Sequence, residues 1–161
     1  MNIFTKRNHL KIIHAGGIFF NSYLIYNGEK YLFVYSGRKY AWKQLCKNLE
    51  LIGVNEDNLV ALILTHTHFD HAENAARIKK RFGAKIIVHE TEVEYLEKGD
   101  SPVPAGTVLF TKLLMNLFRE KAQPMFRYQP VKCDIAVSDR LDLNSFGFNA
   151  CILHTPGHTK G

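Results

Sequence analysis

The segment that most constrains the fold is residues 59–64, the apolar run LVALIL, which leads directly into the sequence THTHFDH at residues 65–71. A short run without any polar side chain is typical of a strand that is buried on both faces of a sheet. The polar motif therefore begins where a buried strand ends. Four of its side chains, three imidazoles and one carboxylate, are of the types that bind metal ions.

The flanking sequence alternates between strand and helix patterns, which favours a layered α/β structure. Asn27-Gly28 separates two β-prone runs and predicts a hairpin. Strands are predicted over residues 21–26, 31–35, 59–64, 85–88, 140–143 and 148–153. Apolar side chains at helical spacing predict helices over residues 41–52, 73–82, 91–98 and 108–118.

Composition places the chain among folded proteins of one domain. Its 161 residues are 46% hydrophobic and 22% charged, which is enough to build a core without disulfides. The net charge is +6, but the basic residues are scattered, so nucleic acid is not expected as a partner. The three cysteines are far apart, and the sequence shows no signal peptide or membrane-spanning run. These features predict a cytoplasmic protein without a membrane partner.

The spacing within THTHFDH predicts a metal site. His66 and His68 would project to the same side of an extended segment and could bind one ion together. Asp70 and His71 could serve a second ion or hold the first ligands in place. Imidazole and carboxylate ligands suit Zn²⁺, and they also suit Fe or Mn. The alternative is a set of surface histidines with Asp70 as a helix N-cap, but so many ligand types at the end of an apolar strand favour the metal.

Two motifs together resemble those of a known family. THTHFDH is similar to the HxHxDH motif of the metallo-β-lactamase superfamily, and TPGHTKG at residues 155–161 resembles the segment that carries the third histidine of that family. The resemblance implies an αββα sandwich, of which this chain would contain the first half and the opening strands of the second. It also implies that His66, His68 and His158 bind a first metal ion, and that Asp70 and His71 begin a second site. One or two Zn²⁺ ions are the expected cofactor.

The activity implied by the resemblance is hydrolysis of a small ester, thioester, lactone or related molecule by a metal-bound hydroxide. A bound metal ion lowers the pKa of water to about 7, and an adjacent carboxylate can accept the proton. Asp70 is the candidate catalytic base. The apolar stretch at residues 108–118 could form a lid over the substrate, although a helix packed on its own domain is more frequent.

The sequence departs from the family pattern at two places. Tyr35 stands in VYSG where many family members carry an aspartate that supports the site, and this change is expected to weaken metal binding. The sequence also ends at Gly161, where family members continue with further strands and ligands. We therefore expect residues 1–161 to form a single domain that lacks its C-terminal part. Its open sheet could be covered by a homo-oligomer, and whether these residues alone are an enzyme is left open.

Two other functions remain possible from the sequence. One is a non-catalytic protein that keeps only the first metal site, and the other is a nuclease of the same superfamily, favoured only by the basic charge. Outside the motifs, His89 and His154 are expected to have structural roles. Glu90, Glu92 and Glu94 alternate at a predicted helix start, where acidic side chains complement the helix dipole.

Overall fold

The computed structural model describes residues 10–16, 21–101 and 126–161. The predicted helix at residues 108–118 lies outside this part of the chain. The strands are β1 (Lys11–Gly16), β2 (Ser22–Tyr26), β3 (Tyr31–Val34), β4 (Leu59–Ile63), β5 (Lys85–His89), β6 (Ile135–Val137), β7 (Arg140–Asp142) and β8 (Cys151–Leu153). The α-helices are α1 (Trp42–Ile52), α2 (Phe69–Ala72), α3 (Ala75–Phe82) and α4 (Val93–Lys98).

The main sheet has six strands in the order β1-β2-β3-β4-β5-β6. The first three strands are antiparallel, and β3 to β6 run parallel to one another. The predicted hairpin is confirmed by the antiparallel pairing of β2 with β3, and in its turn the Asn27 side chain accepts hydrogen bonds from the backbone of Glu29 (3.0 Å) and Lys30 (2.7 Å). Strands β7 and β8 form a separate antiparallel pair.

Strand β4 is buried on both faces, as its apolar sequence predicts. Leu62 packs in a core cluster with side chains from the helices, whereas Ala61 and Ile63 face a second cluster. The helix-side cluster includes Leu24, Phe33, Leu49, Leu62, Ile78, Ile86 and Leu96. The second cluster consists of Leu32, Ala61, Ile63, Ile87, Val137, Leu143 and Phe148. The main sheet therefore lies between a helical layer and the region of β7 and β8.

The second apolar face is covered in part by the chain itself. Leu143 and Phe148 are 3% and 0% exposed where they pack on the main sheet. Leu153 in β8 remains 57% exposed, so the cover is thinner at that strand. Among the described residues, no helix is both long enough and apolar enough to cross a bilayer.

Helix ends follow the sequence pattern, whereas the helix starts are shifted, since α1 begins at Trp42 rather than residue 41 and α4 at Val93 rather than residue 91. Helices α1 and α3 end at Gly53 and Gly83, whose φ angles of 90° and 67° are left-handed, a common way to end a helix. Helix α3 begins at Ala75 rather than at residue 73. The preceding Asn74 instead uses its side-chain amide to donate to the carbonyl oxygens of Ser36 and Arg38, each at 2.9 Å.

Candidate metal centre

Three histidines from distant parts of the chain converge just beyond the end of β4. One ligand nitrogen each from His66, His68 and His158 lies within 4.8 Å of the others. The shortest approach joins His158 Nε2 to His68 Nδ1 at 3.1 Å. The three rings meet edge to face, with centroids 4.6 to 5.1 Å apart. This arrangement brings together the three histidines that the resemblance implies for a first metal ion.

The state of His66 fits a metal ligand. Its Nε2 atom is buried and has no hydrogen-bond partner, which ordinarily costs about 1–3 kcal/mol. Burial, reinforced by the nearby His71 and His68, lowers the pKa of His66 to about 4, so the ring is neutral near pH 7. A neutral imidazole with a free lone pair is the form that binds a metal ion. A divalent cation at this atom would satisfy the unpaired nitrogen.

The other two histidines of THTHFDH, His68 and His71, share this environment. Burial lowers the pKa of His68, and it also lowers the pKa of His71. Each imidazole is therefore held in the neutral, ligand-competent form near pH 7. Three histidines, such as the group of His66, His68 and His158, are a donor set that catalytic Zn²⁺ sites use.

Asp70 and His71 lie on α2, beside the three-histidine group but outside it. Asp70 Oδ2 is 3.4 Å from His71 Nε2, and the His71 ring lies 4.4 Å from the His66 ring. The N-cap of α2 is His68, so the alternative in which Asp70 is the N-cap is wrong. The roles of Asp70 and His71 at a second metal, and of Asp70 as the base, stay predictions.

A chain of hydroxyl groups lies behind His66. Thr65 Oγ1 is 3.0 Å from His66 Nδ1, and the same hydroxyl donates to Tyr35 Oη at 2.9 Å. The Tyr35 ring packs against His71 with a centroid separation of 4.3 Å. At the position where many family members carry an aspartate, Tyr35 therefore contacts the site with both its hydroxyl and its ring. That Tyr35 weakens metal binding stays a prediction.

Glu92 has a role that the sequence pattern does not predict. Glu92 is 2% exposed, and its Oε2 atom accepts hydrogen bonds from the backbone N–H of Thr67 (3.0 Å) and from the Thr67 hydroxyl (2.6 Å). Tyr128 donates to the Thr67 carbonyl oxygen at 3.1 Å, and burial raises the pKa of this phenol, which keeps its proton in place. Because Thr67 lies between His66 and His68, these contacts hold both ligands in position.

The far end of the motif is tied to the loop after β3. Both the backbone N–H and the hydroxyl of Ser36 donate to the carbonyl oxygen of His71 at 2.8 Å. Glu73 accepts from the Arg38 guanidinium at 2.8 Å and from the Lys39 backbone at 2.7 Å. These bonds fix α2 against the edge of the sheet and thereby fix the position of His71.

A cavity of about 440 Å³ opens beside the histidines. His66, His158, Tyr35 and Thr65 line one part of it, while the apolar wall includes Ile63, Ile87, Val137 and Ile152. His154 also lines the cavity, and its ring stacks on the His89 ring with a centroid separation of 3.9 Å. His89 is itself bonded to Thr91 and to the Ser138 carbonyl oxygen, each at 2.8 Å, in agreement with its predicted structural role.

Comparisons with known sequences agree with this geometry. The sequence profile described as the metallo-beta-lactamase superfamily matches residues 16–161. The probable metallo-hydrolase MJ0888 of Methanocaldococcus jannaschii is 30% identical over 141 residues, which are 88% of this chain and 59% of that protein. Hydroxyacylglutathione hydrolase GloC of Haemophilus influenzae is 33% identical over 110 residues, which are 65% of this chain and 42% of that protein.

Solved structures share the fold at low sequence identity. BJP-1, a subclass B3 metallo-beta-lactamase of Bradyrhizobium japonicum, has a TM-score of 0.73 at 21% identity and matches 96% of this chain. The metallo-beta-lactamase GOB-18 from Elizabethkingia meningoseptica has a TM-score of 0.70 at 24% identity, again over 96% of this chain. The chain spans 53% and 52% of the lengths of these two proteins.

Proposed function

Because the chain belongs to the metallo-beta-lactamase superfamily, we propose that it supplies the metal-binding residues of a metal-dependent hydrolase that cleaves a small thioester. Family and fold are as the two sequence motifs predict. The observation that carries the proposal is the convergence of His66, His68 and His158 around a buried, unpartnered nitrogen. The whole protein's activity is the proposal, since the chain spans 59% of the length of its archaeal relative.

The first metal ion would be held by His66, His68 and His158. Zn²⁺ is the proposed ion, and Fe or Mn would fit a set of imidazole ligands as well. Asp70 and His71 are the candidate ligands for a second ion. Such an ion, when bound, acidifies water and polarises a scissile carbonyl group.

The chain's own groups would move the proton and orient the substrate. The Asp70 carboxylate lies beside His71 at the start of α2, where it could accept a proton from the attacking water. The Tyr35 hydroxyl accepts a bond from Thr65, and among the described residues its own proton has no acceptor. Since Tyr35 lines the cavity, this proton could be donated to a substrate oxygen.

The substrate class follows from the bacterial relative and from the cavity. The Haemophilus influenzae protein is named a hydroxyacylglutathione hydrolase, and its substrate is a thioester of a hydroxy acid. Water would add across the acyl carbon–sulfur bond, giving a carboxylic acid and a free thiol. The cavity of about 440 Å³, polar at the histidines and apolar along the sheet, suits a small acyl group.

The direct test is thiol release by the Zn²⁺-loaded protein from a hydroxyacyl thioester of glutathione. Asp70→Asn should lower kcat by about 100-fold or more, because a positioned general base contributes about 10²–10⁴-fold. Asp139→Asn, which changes an exposed acid outside the site, is the matched control and should leave kcat unchanged. A metal-loaded protein that releases no thiol, or an Asp70→Asn variant as active as the control, would contradict the proposal.

A second candidate is a metal-binding protein without catalysis. It is favoured by the composition of the compact group, which contains three histidines and leaves Asp70 and His71 outside. Metal analysis of the same preparation separates the two candidates. One ion per chain without hydrolysis of thioester or ester substrates would favour this second function.

A further inference from the structure

Tyr35 adopts a backbone conformation that a bulky residue seldom takes. Its φ is 64°, and among the described residues it is the one non-glycine with a positive φ. Such a conformation costs about 1–3 kcal/mol and persists where the surroundings impose it. Here the Tyr35 N–H donates to the Ile63 carbonyl oxygen at 3.2 Å, and the ring packs on His71. The strained residue thus follows β3 directly and lies beside the last residue of β4, next to the metal centre.

The strained backbone places the Tyr35 hydroxyl where it determines how Thr65 bonds. The Thr65 hydroxyl has a single proton, which it donates to Tyr35 Oη at 2.9 Å. The hydrogen bond between Thr65 Oγ1 and His66 Nδ1, at 3.0 Å, then requires that Nδ1 carries the proton and donates it to Oγ1. A neutral His66 protonated at Nδ1 has its lone pair on Nε2. That atom is the buried one without a partner.

The opposite arrangement would block the site. If Thr65 donated to Nδ1, the proton of His66 would sit on Nε2 and point toward the other histidines. A protonated Nε2 cannot bind a metal ion. The identity of the atom that carries the proton therefore decides whether His66 is a ligand.

His66 differs in this respect from the other two histidines. The contact of His68 Nδ1 is with His158 Nε2, at 3.1 Å, rather than with a hydroxyl or carboxylate. His158 is exposed, whereas His66 is 8% exposed. Within the described part of the chain, His66 alone of the three is oriented by a hydroxyl outside the group.

We infer that Thr65 and Tyr35 are positioning residues that hold His66 protonated at Nδ1, with Nε2 ready for a metal ion before the ion arrives. The inference rests on the metal centre of the proposed function. It assigns a supporting role to Tyr35, which stands where many family members carry an aspartate. Tyr35 acts through Thr65, and its ring separately packs on His71.

The test reads the protonated nitrogen directly in the metal-free protein. Long-range proton–nitrogen NMR of histidine-labelled protein at pH 7.5 should show His66 mainly protonated at Nδ1. Thr65→Val keeps the shape of the side chain and removes the hydroxyl, so the two neutral forms should mix. Tyr35→Phe keeps the ring and should give a smaller change in the same direction. Thr65→Ser restores a hydroxyl and should resemble the wild type.

Metal affinity gives a second readout that does not depend on activity. Zn²⁺ competition with a chelating dye should show about 10–100-fold weaker binding for Thr65→Val, the usual effect of losing an outer partner of a ligand. Thr65→Ser and the exposed-tyrosine control Tyr40→Phe should bind within about twofold of the wild type. Circular dichroism melting of each variant verifies that the fold is retained.

Two results would overturn the inference. One is a wild-type spectrum with the proton of His66 on Nε2, which requires no variant and therefore stands even if Thr65→Val fails to fold. The other is a folded Thr65→Val protein with the wild-type spectrum and the wild-type Zn²⁺ affinity. Absence of thioester hydrolysis would instead count against the proposed function, and it would leave both of these measurements unchanged.

Discussion

The two segments that supply the histidines differ in how firmly they are held. Residues 65–71 follow the most buried strand of the sheet, and their backbone is fixed by Glu92 and by Ser36. Residues 155–158 follow the short strand β8 and are mostly exposed. Their described contacts include a local bond from Gly157 N–H to the Thr159 carbonyl oxygen at 3.0 Å and the approach of His158 Nε2 to His68 Nδ1 at 3.1 Å. Among the described residues, the first segment is bonded to buried side chains, whereas the second has fewer such contacts.

Because of this difference, the metal site has a fixed part and an adaptable part. Ligands that are already in place lose little conformational entropy when an ion binds, while a loosely held ligand loses more. The contribution of the first segment should therefore depend on its buried supports. The contribution of His158 should depend mainly on the ion.

The largest expected effect comes from removing a ligand from either segment. His66→Ala and His158→Ala should each weaken Zn²⁺ binding by more than about 100-fold, which exceeds the usual loss for an outer partner. The two metal-free variants should differ in stability. Because His158 is exposed, its replacement should change the free energy of unfolding by less than about 0.5 kcal/mol. Competition titration and urea unfolding measure the two quantities.

The matched control for this pair is His14→Ala, an exposed histidine bonded to Asn21 outside the site. It should keep both the metal affinity and the stability of the wild type. If His158→Ala destabilised the metal-free protein strongly, the distinction between a fixed and an adaptable segment would be wrong.

The next effect concerns the buried support of the first segment. Glu92→Ala removes the acceptor of both Thr67 hydrogen bonds, and bonds to a charged group contribute about 1.5–3 kcal/mol. We expect a loss of about 3 kcal/mol in the free energy of unfolding and about 10-fold in Zn²⁺ affinity. Thermal and urea unfolding measure the first quantity.

Glu90→Ala changes an exposed acid two residues away and serves as the control for Glu92→Ala. Its stability should stay within about 0.5 kcal/mol of the wild type. Equal stabilities of the two variants would show that Glu92 does not support the motif.

Acid should destabilise the metal-free protein through the first segment. The pKa of His66 is lowered from 6.5 to about 4, so between these values the unfolded chain binds a proton that the folded chain does not. The free energy of unfolding should therefore decrease as the pH falls from 6.5 toward 4. Urea unfolding at several pH values measures this slope, and His66→Gln should make it shallower. An unchanged slope in His66→Gln would mean that His66 does not titrate as described.

The smallest effect is expected in the second segment. The Nε2–H of His154 donates to the Lys160 carbonyl oxygen at 2.9 Å, and the His154 ring stacks on the His89 ring. His154→Ala should weaken Zn²⁺ binding only by about twofold, because a loosely held segment can readjust around the ion. A loss beyond about 10-fold would indicate that His154 holds His158 in place, and that the second segment is less adaptable than proposed.

The features that sequence predicts best are local ones. The hairpin at Asn27-Gly28 and the helix ending at Gly53 follow from turn and cap residues, and the apolar run of β4 identifies a buried strand. Strand β1 is not predicted, since its existence depends on pairing with β2. The histidines are predicted because their spacing is itself a signal.

The supports of the site could not be read from the sequence. Glu92 contacts Thr67 across 25 residues, and Tyr128 contacts it across 61. At the level of sequence, Glu92 looks like its neighbours Glu90 and Glu94, and only tertiary packing separates them. Tyr35 is conspicuous as a departure, but the positive φ that directs its hydroxyl toward Thr65 has no local sequence signal.

The packing between the two sheets has a further consequence for the histidines. His66 follows a strand of the main sheet, whereas His158 follows β8, and the fully buried Phe148 lies in the apolar layer that joins the two sheets. Protein interiors are close-packed, so a change of volume in this layer shifts the surfaces on either side. Phe148 thus lies in the layer that separates the two sheets, and a change in its volume is expected to change the distance between histidines carried by different sheets.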